Sequence, residues 1–189
     1  MAEAVILCGG YSSRIGENKM MLELAGHPLI WHTVAGVSRV TSRVIIVTGH
    51  YHDDISKLFS GWDNVVIIRN TDYEKGMFSS VKCGVRQTES DFFVLPGDHP
   101  LVKEATFKLL LSGTKDVRVP AYAGRKGHPV FFSRRLKEAL LDEPDDSNLK
   151  IFRNHYDVEI FETDDEGIIK DVDTLKDFFY IQNLHEEER

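Results

Sequence analysis

The chain has 189 residues, 42% of them hydrophobic and 28% charged, proportions of a soluble globular protein that exclude disordered and fibrous classes. With 30 acidic against 23 basic residues, the net charge of −7 comes without any basic block that could neutralise a polynucleotide backbone, so nucleic-acid polymers are excluded as partners. Residues 1–10 lack the basic start of a signal peptide, no apolar run approaches the roughly 18 residues of a membrane span, and two cysteines, Cys8 and Cys83, suggest no disulfide framework; the expected setting is the cytoplasm, away from any membrane.

Short β-rich runs alternate with amphipathic stretches, the pattern of parallel βαβ units, and no linker composition divides the chain, so a single α/β domain is expected. Residues 4–8 read as a buried strand, 28–40 as a helix with proline in its first turn, and 43–48 and 65–69 as further strands. A helix over 79–87 and a strand over 92–95 follow. Pro96-Gly97-Asp98-His99-Pro100 is then a proline-bracketed turn that can continue neither kind of element. Residues 104–112 read as a helix. Strands at 117–122 and 129–132 are expected to form a small antiparallel ribbon beside the main sheet. Helices over 134–141 and 148–154, a strand over 158–163 and a closing helix over 175–184 complete the chain.

The first strand runs directly into Leu7-Cys8-Gly9-Gly10-Tyr11-Ser12-Ser13-Arg14-Ile15-Gly16-Glu17-Asn18-Lys19. In an open α/β sheet, ligands bind outside the carboxyl ends of the strands, where this segment falls. Glycines let backbone N–H groups approach phosphate oxygens, Ser12 and Ser13 add hydroxyl donors, and Arg14 and Lys19 add the charge to hold a triphosphate and stabilise departing pyrophosphate. The loop is not a P-loop, because Lys19 precedes Met20 rather than Ser or Thr, and Gly9, Gly10 and Gly16 lack the dinucleotide-binding spacing. Nor does an acidic residue end the second strand, where Thr48-Gly49-His50 stands, which argues against a nicotinamide oxidoreductase.

The loop matches, at every named position, the pattern L-x-x-G-x-S-x-R-x-G-x-x-K, and on it the chain resembles the MobA-like nucleotidyltransferases. The resemblance extends through residues 70–80, the Pro-Gly-Asp-His-Pro turn, Gly127-His128-Pro129-Val130 and Asp171-Val172-Asp173-Thr174, segments closest to the molybdopterin cytidylyltransferase branch. It implies a three-layer, doubly wound, mostly parallel sheet. It also implies Mg²⁺-dependent transfer of a nucleotide, CMP from CTP, to the phosphate of a pterin cofactor with release of pyrophosphate. A recipient molybdoenzyme is the further partner that the resemblance implies.

On this resemblance Leu7, Cys8, Gly9, Gly10, Ser12, Ser13, Arg14, Lys19, Asn70, Gly76, Ser79 and Ser80 are expected to bind the nucleotide, with Arg14, Lys19 and Asp98 catalytic. Asp98 and Asp173 are expected to hold the metal, and Met77, Gly127, His128 and Pro129 to face the acceptor. Three alternatives stand beside these roles: a turn hydrogen bond for Asp98, an N-cap for Asp173 and a capped helix start for residues 70–80. In Asp171-Val172-Asp173, alternation puts both carboxylates on one side if the segment is extended. His50 and His52 lack a third ligand and are not expected to bind a metal. The resemblance leaves open a sugar or polyol phosphate as acceptor and a non-catalytic chaperone for a molybdoenzyme, the latter opposed by the presence of both aspartates. Cys8-Gly9-Gly10 departs from the cytidylyl branch toward the guanylyl form.

Overall fold

In the computed structural model, which describes residues 1–11 and 15–187, strand β1 (Glu3–Cys8) is buried along its whole length, as the apolar run of residues 4–8 requires of a central parallel strand. A single 3-10 turn, Lys19–Met21, leads to a small hairpin of β2 (Glu23–Leu24) and β3 (His27–Pro28). Then come α1 (Leu29–Ser38), β4 (Arg43–Thr48), α2 (His52–Leu58) and β5 (Val65–Arg69). Pro28 stands at the N-cap of α1 rather than inside its first turn. No helix is predicted where α2 lies, because its seven residues bury only Ile55, too few for a 3.6-residue period to show.

The second half holds α3 (Met77–Val85), β6 (Phe92–Pro96), α4 (Glu104–Leu111), β7 (Val117–Tyr122), β8 (Arg125–Lys126) and β9 (Val130–Phe132). It ends with α5 (Lys137–Asp142), α6 (Leu149–Arg153), β10 (Val158–Glu162) and α7 (Leu175–Glu187). Helix α3 begins two residues before the predicted start, since Gly76, at φ 105°, turns the chain out of a 3-10 turn and into the helix through a conformation that glycine adopts without strain.

The main sheet has the order β10-β7-β9-β6-β1-β4-β5, with β8 paired to β7. β1 is parallel to both β4 and β6, β4 to β5, and β7 to β10. β9 runs antiparallel between β6 and β7. The antiparallel pair expected from the sequence therefore exists, and it is inserted into the main sheet rather than standing beside it.

Residues of the central strands alternate between two cores, as the period of two demands. Ala4, Ile6, Val44, Ile46, Phe93 and Leu95 face one side, with Ile30, Val34, Phe107 and Leu110 of α1 and α4. Val5, Leu7, Ile45, Val47 and Val94 face the other, with Phe78, Val81 and Phe152 of α3 and α6. A third cluster, Leu24, Leu29, Val172, Phe178 and Ile181, docks α7 on the hairpin. No helix among the described residues is long and apolar enough to cross a membrane.

Candidate active site

From β1 the chain moves outward to β4 and β5 and returns on the other side of β1 as β6. This reversal makes the carboxyl ends of β1 and β6 a switch point, where a crevice opens. Two hollows meet there. The first, of about 380 Å³, is lined by Gly9, Gly10, Tyr11, Lys19, Ser80 and Asp98 among others. The second, of about 320 Å³, is lined by Met77, Gly127, His128, Leu149, Lys150 and Arg153 among others. Leu7, Met77 and Pro96 border both.

In the first hollow, three distant segments bring charge together. Asn18 caps the 3-10 turn by accepting a hydrogen bond from the Met20 N–H on its side-chain oxygen (3.2 Å), which fixes Lys19 at the turn's start. The Lys19 ammonium donates to Asp98 Oδ2 at 2.5 Å, to the Val172 carbonyl at 2.9 Å and to Asp173 Oδ1 at 3.3 Å. A backbone bond from Val172 N–H to the Asp98 carbonyl, 3.2 Å long, straps the late segment to the turn after β6. The His99 ring lies 3.1 Å from the other oxygen of Asp98.

Asp98 is buried, which alone would raise its pKa, yet bonding to His99 and the charge of Lys19 outweigh burial and hold it at about 2. Burial works against the charge of Lys19, but Asp98 and Asp173 overcome it and raise its pKa. Cys8, beneath them, is pushed far up by burial and then by Asp98; it is an inert thiol that fills the core.

Asp98, Asp171 and Asp173 each offer an oxygen within 4.8 Å of the others. A set of carboxylate oxygens fits a hard divalent cation such as Mg²⁺ or Mn²⁺. Asp171 was passed over in the sequence in favour of Asp173, although the alternation around Val172 already signalled it. The cap of α7 falls to Thr174: its Oγ accepts from Asp177 N–H at 3.2 Å, and Asp177 Oδ2 accepts from Thr174 N–H at 2.8 Å. Capping and facing the site are thus divided between neighbouring residues.

Ser12, Ser13 and Arg14 lie outside the described residues. Gly9 has a packing reason, since a Cβ there would come within 2.9 Å of Ser80 Oγ, whereas at Gly10 it would meet nothing within 4 Å. Asn70 is buried and donates to Ser79 Oγ (2.9 Å) and Ser80 Oγ (3.0 Å), while its oxygen accepts from Asp72 N–H. Asn70 and Ser79 therefore hold residues 70–80 in shape from a shallow recess of their own, while Gly76 and Ser80 reach the first hollow. Tyr11 and Met77 are exposed and available for stacking, whereas Phe78 is core. His52 bonds Thr48 Oγ1 at 2.7 Å from the start of α2, and among the described residues no metal-ligating group forms around it or His50.

The second hollow differs in character. Gly127 fits tightly against the backbone of Ile168, which a side chain would strike. Pro129, joined to His128 by a cis peptide bond, is buried behind the wall. The His128 ring packs edge-on against His99, 4.9 Å between centroids. Burial first, and then His99, lower its pKa to about 3, so the ring is neutral. Arg153 and the lysines 126 and 150 lining this hollow carry no motif in the sequence, and pattern reasoning missed them.

Residues 4–159 match the family described as the MobA-like NTP transferase domain. The chain is 29% identical over 190 aligned positions to the molybdenum cofactor cytidylyltransferase of Escherichia coli K12, covering 98% of this chain and 97% of that protein. It is 31% identical over 150 positions to a probable molybdenum cofactor guanylyltransferase of Bacillus cereus G9842, covering 74% and 73%. A Mycobacterium tuberculosis H37Rv protein, solved as a complex with manganese, superposes with a TM-score of 0.79 at 19% identity, covering 96% and 98%.

Proposed function

From the premise that this chain belongs to the MobA-like NTP transferase domain family, we propose that it transfers CMP from CTP to the phosphate of a molybdenum-cofactor-type pterin. The nucleotide takes the first hollow and the acceptor the second. The observation that carries this reading is the convergence of Lys19, Asp98 and Asp173 at the junction of two adjoining hollows, where an α-phosphorus and an attacking oxygen would meet.

The acceptor phosphate is largely ionised at neutral pH and needs no general base. One of its oxygens attacks the α-phosphorus in line, a P–O bond forms, and the bond from the α-phosphorus to the β-phosphate bridging oxygen breaks to release pyrophosphate. Asp98 and Asp173, with Asp171 beside them, would hold Mg²⁺, which supplies Lewis-acid charge to the phosphate oxygens. Lys19 and Arg14 neutralise the triphosphate and the leaving group, while Gly9 and Gly10 let the backbone approach them. His128 is neutral, so it orients the acceptor by hydrogen bonding and packing rather than by charge.

The preference for CTP rests on the cytidylyltransferase relative, which aligns over 98% of this chain. Gly9 does not favour a purine, because its missing side chain is explained by Ser80. The guanylyltransferase relative keeps GTP as the second reading. Pyrophosphate release across four nucleoside triphosphates, with and without reduced molybdopterin and with Mg²⁺, Mn²⁺ or EDTA, tests all three elements. Release that needs no pterin, or that favours GTP, overturns the acceptor or the base respectively.

A further inference from the structure

Two of the arginines among the described residues that reach into the protein have an acceptor or a counter-charge at the guanidinium. Arg118 donates from Nε to the Lys115 carbonyl (2.7 Å) and from Nη1 to the Leu110 carbonyl (2.9 Å), and its guanidinium lies 4.1 Å from the centre of the Phe131 ring. Arg43 Nε makes no hydrogen bond but is ion-paired, 3.1 Å from Glu3 Oε1. Arg153 differs: among the described residues, its Nε is likewise buried with no hydrogen-bond partner, and no carboxylate pairs with it. Its pKa is lowered by burial alone, with no carboxylate to offset the loss of water. A buried N–H donor without a partner is unfavourable, and such a group in a folded protein calls for an explanation.

Its placement supplies one. Asn148 caps α6 by accepting from Ile151 N–H at 3.0 Å, and Phe152, buried in the second core, packs on Phe132 at 5.8 Å and Tyr156 at 5.2 Å between centroids. With Phe152 so pinned, Leu149 and Arg153, one turn apart, both face the second hollow. On the same lining His128 Nδ1 is also buried without a partner. Among the described residues, Lys126, Lys150 and Arg153 are the charged groups that line this hollow, and no acidic residue lines it, in a chain whose net charge is −7. The remaining lining is largely apolar, including Leu7, Phe78, Val94 and Leu149.

We propose that Arg153 is the acceptor-recognition residue, binding an anionic phosphate oxygen of a substrate whose apolar body fills the second hollow. The proposal rests on the reading above that this hollow takes the acceptor. Lys126 and Lys150 at the same lining extend the attraction. Arginine's planar fork suits a phosphate oxygen better than a lysine point charge does.

The test is calorimetric titration of the full chain with a pterin monophosphate, with the same pterin lacking phosphate, and with CTP and Mg²⁺. Variants are Arg153→Met, which keeps the apolar stem, and Arg153→Lys, each checked for an unchanged melting transition. Arg153→Met is expected to lose roughly ten- to hundredfold in affinity for the phosphorylated pterin, with CTP affinity within twofold of wild type, and Arg153→Lys to recover part of the loss. In turnover, the acceptor KM rises and the CTP KM does not. Unchanged affinity for the phosphorylated pterin, an equal loss for both pterins, or an equal loss for CTP overturns the assignment. If wild type binds CTP but neither pterin, the pterin reading fails by itself. The same titration with a polyol phosphate and a sugar phosphate then decides Arg153: loss of whichever ester binds supports it, and a wild-type chain that binds none of them overturns it.

Discussion

The two hollows share a wall at Leu7, Met77 and Pro96 but treat charge in opposite ways. In the first, the Lys19 ammonium is already bonded to Asp98, Asp173 and a carbonyl, so both signs of charge are present and compensated. In the second, the half-buried Arg153 has an unpartnered Nε, and among the described residues no acid lines the hollow. A site for a metal with a polyphosphate must accommodate cation and anion together, and internal pairing keeps it soluble and folded without them. On the reading proposed above, the second hollow takes an anionic acceptor alone, and such a site needs only positive charge, left uncompensated until the acceptor binds.

The largest effect should come from breaking the first hollow at its carboxylates. Asp98→Asn removes the most buried of the three oxygen donors and leaves Lys19 half-paired. Pyrophosphate release should fall on the order of a thousandfold, and calorimetric Mg²⁺ binding should vanish while the circular dichroism spectrum is unchanged. Activity within tenfold of wild type would remove Asp98 from the metal. Lys19→Ala should cost on the order of a hundredfold in turnover. Because it also unties Asp98 from Asp173, it should tighten Mg²⁺ binding in the absence of nucleotide. Weaker binding there would show that Lys19 holds the carboxylates in place rather than competing with the metal.

The contrast between the hollows also explains what the sequence could reveal. The first was legible because glycines, a proline-bracketed aspartate and an alternating Asp-Val-Asp each constrain the backbone, and such constraints leave a mark in local spacing. The parallel core was legible for a related reason, since strands β1, β4 and β6 are continuous apolar runs. Arg153 left no mark, because its role depends on Phe152 anchoring a five-residue helix in a core assembled from distant strands. Helix α2 was missed because one buried residue sets no period, and β9 was set beside the sheet because its place between β6 and β7 is decided by pairing across the chain. Asn70 and Ser79 were read toward a ligand, but they spend most of their polar atoms on each other and on the 70–80 backbone.

The second hollow can be probed through pH. His128 has a pKa near 3 in the fold against 6.5 in its absence. Between these values the unfolded chain binds a proton that the folded chain refuses, so this residue's effect is to lower stability as pH falls below 6.5. The slope is about 1.4 kcal/mol per pH unit, or about 2 kcal/mol by pH 5. His128→Gln should flatten that portion of the curve when urea unfolding is compared at pH 7 and pH 5. An unchanged difference between the two pH values would mean that the ring accepts its proton in the fold, and the hollow would then be less dry than its lining indicates.

The smallest expected effect separates two neighbours on the first hollow's rim. Thr174 and Asp177 close a reciprocal cap on α7, while the Asp173 carboxylate turns to Lys19. Loss of a threonine cap costs about 1 kcal/mol, and α7 is independently docked through Phe178 and Ile181 on Leu24 and Leu29. Thr174→Ala should therefore lower stability by about that amount and leave turnover within a few fold. Asp173→Asn should do the reverse, sparing the melting transition and cutting Mg²⁺-dependent turnover. The pair must be measured together, because Asp173 N–H also donates to Asp177 at 3.3 Å and could act through the helix. If Thr174→Ala depresses turnover as deeply as Asp173→Asn, placement of α7 is the shared cause and Asp173 loses its metal role; if only Asp173→Asn does, the cap and the ligand are separate functions of adjacent residues.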